Sequence, residues 1–168
     1  MSLAEVEFIK AEANVLLMNF TEAKMNYDNG VKAAFDRWKE AKDADDIEYI
    51  FPADFNVDEF IGPGKTYEFN QTTSTTMLES IWRQKWIAAV RCQSWEAFLE
   101  TNRTGFPKAG TVNSQDPAYV IGEFAPSMNS VLGPGEFPRR LIYPKTSSDY
   151  NKNTPSVIPV QTKMWWHK

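Results

Sequence analysis

The chain has 168 residues, a formal charge of -4 and an ordinary share of apolar side chains (42 %). That length supports one sizeable hydrophobic core, and the single cysteine, Cys92, excludes an internal disulfide and any multi-cysteine zinc or iron–sulfur site. No block of Lys and Arg runs long enough to neutralise a stretch of phosphates, so nucleic acid is not the expected partner. The unusual feature is aromatic content, with six Trp, six Tyr and eleven Phe, which suits both cores and binding surfaces.

Residues 4–18 carry Val6, Ile9, Ala13, Leu16 and Leu17 at helical spacing, with Glu5, Glu7, Lys10 and Glu12 on the rest of the surface, which predicts an amphipathic helix. Asn19, Phe20 and Thr21 break the pattern. Thr21 is then the expected cap of a second helix from Glu22 to about Lys42, presenting Ala23, Tyr27, Val31, Ala34, Phe35 and Trp38. Gly30 in its middle costs about 1 kcal/mol of helix propensity against Ala, and marks either a close approach by a neighbouring helix or a kink. So short a connection forces the two helices antiparallel, as in a helical-repeat pair.

Residues 43–73 are rich in Asp, Pro and Gly and predict turns, with room for one short helix and no strand. Asp54, Asn56 and Asp58 resemble the start of a calcium loop, but Glu59 stands where that loop needs Gly and Lys65 where it needs Glu. A second helical pair is expected over 75–101. Thr75 or Thr76 caps its first member, which runs to about Arg91 with Met77, Leu78, Ile81, Trp82, Lys85, Trp86 and Ala89 on one stripe. Ser94 caps the second, over Trp95, Ala97, Phe98 and Leu99. From Arg103 onward the chain holds eight of its ten prolines and no periodicity, so 102–168 is expected to be a loop-rich wrap supported by packing on something else.

A search for reactive chemistry returns little. His167, the single histidine, lies next to the chain end, a poor place for a catalytic base, and reads as an incidental surface residue. Gly62-Pro63-Gly64-Lys65-Thr66 lacks the spacing of a phosphate loop. Asn70-Gln71-Thr72 and Asn102-Arg103-Thr104 have the glycan-acceptor pattern, though Asn102 falls at a helix end whose geometry alone explains it. Carboxylates such as Glu79, Glu96 and Glu100 carry no distinguishing context for hydrolysis. Arg83 and Lys85 either extend over the aromatic surface of Trp82 and Trp86 or reach carbonyls of the following loop, and Arg103 anchors the chain where helix gives way to Gly105 and Pro107; a ligand site is the competing reading. No catalytic, cofactor or metal residue is assigned.

Several ordered segments then resemble one family. IWRQKWIAAV from Ile81, SWEAF from Ser94 and NRTGFP from Asn102 are similar to the C-terminal part of the SusD/RagB nutrient-binding lipoproteins of the Bacteroidetes outer surface. FPRRLIYP from Phe137 with Asn151, the closing Lys163-Met164-Trp165-Trp166, and the opening AEVEFIKAEA with AKMNYDNGVKAAFDRW resemble further family stretches. The resemblance implies a mainly α fold built on tetratricopeptide-like helix pairs, as one unit that is the last part of a longer, lipid-anchored protein. It implies non-catalytic capture of an oligosaccharide or related nutrient and its delivery to a SusC-like TonB-dependent transporter of the outer membrane. Arg83, Lys85, Trp86, Arg103, Arg140 and Trp165 match motif positions expected to hold the fold together, and no ligand-binding residue carries over. A helical-repeat scaffold with no glycan site of its own is the alternative.

Overall fold

The computed structural model describes residues 1–45, 55–90, 93–127 and 129–167; of the expectations above, those on Asp54, Arg91 and Cys92 fall outside these residues. The fold is mainly α, as the sequence and the resemblance predict. Among the described residues five α-helices follow one another: α1 (Leu3–Leu16), α2 (Phe20–Asp45), α3 (Ser74–Ala89), α4 (Ser94–Thr104) and α5 (Lys145–Tyr150), with one 3-10 turn at Val57–Glu59. The chain forms two compact units, Met1–Ala97 and Phe98–Lys168.

In the first unit, α1 packs against both α2 and α3, and α2 also touches α3. Ser2 caps α1 in a reciprocal box: its Oγ accepts from Glu5 N at 3.2 Å while Ser2 N donates to Glu5 Oε2 at 3.4 Å. The same Glu5 oxygen accepts from Gln93 Nε2 at 2.8 Å. At its other end α1 closes with Asn19 N on Asn14 O (2.8 Å) and Met18 N on Val15 O (3.1 Å). Those two bonds are the Schellman pattern, and Met18 takes the left-handed position at φ 62° that glycine normally fills.

The buried stripe of α1 is Ala4, Glu7, Phe8, Ala11 and Val15, not the expected Val6, Ile9, Ala13, Leu16 and Leu17; Ile9, Leu16 and Leu17 face solvent. Both stripes have helical period, and what selects between them is the partner. α2 buries Ala23, Asn26, Tyr27 and Val31, with Gly30 among them, and a Cβ on Gly30 would lie 2.7 Å from Cε1 of the Phe8 ring. The glycine thus serves the close approach and is where Phe8 seats. Phe8 also meets Tyr27 edge-on, 6.1 Å between centroids.

A polar chain crosses the same interface. Lys10 Nζ donates to Glu7 Oε1 at 2.7 Å, Asn26 Nδ2 to Glu7 Oε2 at 2.9 Å, and Asn14 Nδ2 to Asn26 Oδ1 at 3.0 Å. Glu7, only 8 % exposed, is therefore bonded at both oxygens, and its pKa falls below the usual 4.5, through Lys10 first, against the opposing effect of burial. Arg37 from α2 reaches the carbonyl of Ala88 in the last turn of α3, where the helix dipole favours a cation.

Helix boundaries differ from expectation by a few residues. α2 starts at Phe20, one residue before the expected cap. Thr73, rather than Thr75 or Thr76, caps α3 in a box with Thr76, the two backbone–hydroxyl bonds measuring 3.1 and 2.9 Å. Ser94 lies inside α4, with Gln93 O accepting from Ala97 N, and the helix persists to Thr104. Among five adjacent threonines and serines any hydroxyl can cap by type, and the one whose neighbour three residues on can answer back wins.

The second unit is built mainly from turns. Asn113, Asp116, Ser127, Ser130 and Asn151 each accept, through the side chain, a backbone N–H two residues further on. A parallel bridge joins Ala109 and Phe124, with Phe124 N on Lys108 O at 2.8 Å and Gly110 N on Phe124 O at 2.9 Å. Such Asx- and Ser-turns satisfy the backbone locally, so the loops hold part of their shape without regular elements.

Candidate functional site

Two groups of aromatic and polar side chains stand out, one in each unit. In the first unit Phe35 of α2 meets Phe55, Phe60 and Tyr67 of the connection. Phe35 and Phe55 are 5.1 Å apart at 35°, Phe55 and Phe60 5.3 Å at 26°, and Phe60 and Tyr67 5.9 Å at 32°. Lys39 Nζ adds a cation 5.9 Å from the Phe55 centroid. These rings spend their flat faces on one another. Tyr27 from α2 donates its hydroxyl to Tyr67 O at 3.2 Å and lies 4.9 Å from Phe69. Burial, then the nearby Asp28, pushes the Tyr27 hydroxyl well above the usual tyrosine range, so it stays a donor. Each aromatic pair adds about 0.5–1.5 kcal/mol beyond burial. The cluster is a satellite core that ties the connection to α2.

The second unit is organised around Asn102, which is 0 % exposed. Its Nδ2 donates to Phe98 O at 3.1 Å and Pro138 O at 3.5 Å, and its Oδ1 accepts from Arg139 Nη1 at 3.2 Å. Full burial rules this asparagine out as a glycan acceptor. Beside it Phe137 is held by Phe98 (5.9 Å), by Phe124 edge-on (5.2 Å, 88°) and by the Arg139 guanidinium 5.8 Å from its centroid.

From this anchor the chain end is clasped. Arg139 N and Arg140 N share the carbonyl of Val160 at 2.8 and 3.2 Å. Arg140 Nε donates to Thr162 O at 3.2 Å, and its Nη2 lies 3.1 Å from Met164 Sδ. Met164 N donates to His167 Nδ1 at 3.1 Å, and the imidazole stands edge-on to Trp166 at 4.0 Å. His167 is thus fixed in place, contrary to its expected standing as an incidental surface residue. Its pKa lies below the usual 6.5, through burial first and then the charges of Arg139, Arg140 and Lys163. The ring is neutral at pH 7, and because Nδ1 accepts, Nε2 carries the proton; that atom is buried with no hydrogen-bond partner.

The motif positions singled out in the sequence are scattered in role. Arg83 is exposed on α3, close enough to Tyr27 to act on its ionisation, while Lys85 and Trp86 on the same helix are half-buried. Arg103 lies on α4, where its Nε and Nη2 meet the Glu100 carboxylate at 3.0 and 2.7 Å. Arg140 is the clasp just described. Trp165 is 94 % exposed, so its ring fills no core; Trp95 is 56 % exposed. Sequence reasoning weighed Asn102 only as a glycan acceptor or a helix-end residue, and passed over Arg139, although Arg139 stands in the quoted FPRRLIYP segment. It also passed over Asn26, whose polar side chain between Ala23 and Tyr27 on an apolar face was the available signal.

A SusD-like family model, described as starch-binding and associating with the outer membrane, matches residues 1–144. The chain belongs to the SusD-like family. No curated protein matches it. Membership places it among proteins that bind starch or other glycans at the outer membrane and are generally non-catalytic. The rings of the first-unit cluster are occupied by each other, whereas the Trp165 side chain is open to solvent.

Proposed function

We propose that this SusD-like chain is the C-terminal part of a lipid-anchored protein exposed on the outer-membrane surface. It binds an oligosaccharide or related nutrient without chemical change and delivers it to a SusC-like TonB-dependent transporter. The observation that carries the binding step is Trp165, 94 % exposed yet attached to a chain end that Arg140 clasps. An exposed ring on a tethered backbone loses little freedom on contact with a flat sugar face. Arg140 is assigned to holding that end, and Trp165 to the ligand.

A second reading, a helical-repeat interaction scaffold, is favoured by the α1–α2 turn, where Leu16, Leu17 and Met18 are 67, 70 and 77 % exposed. Calorimetric titration against a panel of oligosaccharides separates the two. Saturable binding weakened by Trp165→Ala, with the melting temperature unchanged, is the expected result. Absence of saturable binding to any glycan leaves the scaffold reading.

A further inference from the structure

Three cations of the second unit, Arg139, Arg140 and Lys163, gather in one stretch of it. Among the described residues none of the three forms an ion pair, as is also true of Lys108, Lys145 and Lys152 of that unit, whereas Lys10, Lys24, Lys32 and Arg103 each do. Arg139 N and Arg140 N share the Val160 carbonyl, and the Arg140 side chain reaches Thr162 O and Met164 Sδ, the residues on either side of Lys163, so the three share one neighbourhood. The chain as a whole is acidic, at -4, and such a concentration of unpaired positive charge runs against that balance.

The groups are also held in place. Arg139 is fixed by the buried Asn102 oxygen and by the Phe137 face, and Arg140 by Thr162 O and Met164 Sδ. Each guanidinium has five N–H donors, and these bonds use only part of each set. The remaining donors match a planar carboxylate, which arginine binds in forked geometry. Trp165 follows Met164, the residue on which Arg140 rests, so an exposed ring sits next in the chain to the cationic group.

We infer that Arg139, Arg140 and Lys163, with Trp165 beside them, form a receptor site for a carboxylate-bearing sugar of the uronate type. The guanidiniums and the ammonium take the carboxylate, and the indole takes the apolar face of the pyranose ring. The ligand would then differ in charge from neutral starch. This rests on the glycan-binding reading above and narrows it to acidic glycans. An acidic peptide would satisfy the cations, but it would leave the exposed indole without a flat partner.

The test is calorimetric titration of the chain with a short oligogalacturonide, its methyl-esterified form, a neutral malto-oligosaccharide and a polyglutamate peptide. The acid is expected to bind about tenfold more tightly than the ester, the scale of one charge-assisted bond, with the gap shrinking as salt rises. Lys163→Gln, at an exposed position, is expected to weaken acid binding several-fold and to narrow the gap between acid and ester, with the melting temperature unchanged. Equal affinity for acid and ester overturns the anionic site and leaves glycan binding standing. Polyglutamate binding as tightly as the oligogalacturonide also overturns it, in favour of a peptide surface. Binding of none of the sugars overturns both readings.

Discussion

At Gly30 two opposing effects meet on one atom. Alanine is the better helix former by about 1 kcal/mol, so an exposed glycine here would be a gain to replace. A Cβ would instead stand 2.7 Å from Cε1 and 2.8 Å from Cδ1 of Phe8, a ring with 0 % exposure and no open side to retreat into. Overpacking of this kind costs about 1–3 kcal/mol, so Gly30→Ala is expected to lower stability by roughly 1 kcal/mol net in urea unfolding. Trimming the ring with Phe8→Leu in the same chain should reverse the sign of the alanine effect, which a double-mutant cycle reads directly. Met18 gives the opposite case. It holds a left-handed φ of 62° with its side chain 77 % exposed, so it carries strain and buries little. Met18→Gly is expected to stabilise α1 and its turn by about 1 kcal/mol, seen as a higher melting temperature.

At the scale of elements, α4 inverts the usual logic of an amphipathic helix. Its buried residues are Thr101, Asn102 and Thr104, while Trp95 and Leu99 lean outward. Thr104 Oγ1 donates back to Glu100 O at 2.8 Å and accepts from Phe106 N at 3.1 Å, so the end of the helix hands its bonds to the loop. Asn102 does the same for the 137–140 segment. Asn102→Ala would orphan the Pro138 carbonyl and one Arg139 donor inside the unit, and each such loss costs about 1–3 kcal/mol. The expected outcome is faster amide exchange over 137–140 and 160–164 with little change in α1–α2, a pattern that hydrogen-exchange mass spectrometry resolves. Uniform loosening of both units would contradict the anchoring role. A hydrophobic pattern could not announce this helix face, because the groups that matter on it are polar and their partners lie some 36 residues away.

For the whole molecule, acid is the revealing variable because both units carry a group with a depressed pKa. His167 in the second unit is held neutral: its contribution is fully present above 6.5, its ordinary value, and is lost as pH falls through the lower folded value. Glu7 in the first unit is held ionised: its contribution persists to about 4.5 and is lost as pH falls through its own depressed value. The second unit is therefore expected to loosen first on acidification and the α1–α2 pair only later. Residue-resolved NMR titration should show His167 and Trp166 signals shifting before those of Phe8 and Tyr27; a single concerted transition would refute the two-step order.

Much of this was readable in the chain. Helical period, short connections and the proline-rich end determine a mainly α fold with an irregular C-terminal region, since these depend on local spacing and backbone chemistry. The order of the quoted segments was enough to indicate the family. Gly30 was legible as either a close approach or a kink, and the Phe8 ring against it decided for the close approach. The Ser2-Leu3-Ala4-Glu5 capping box was there to be read as well, being a four-residue local signal. What only the tertiary structure decided is which of two apolar stripes α1 buries, which hydroxyl caps α3, and that Trp165 faces solvent while Asn102 does not. Periodicity names the faces of a helix, but the free energy of burying one of them belongs to the neighbour it meets. For α1 that neighbour is the gap at Gly30, supplied by another helix.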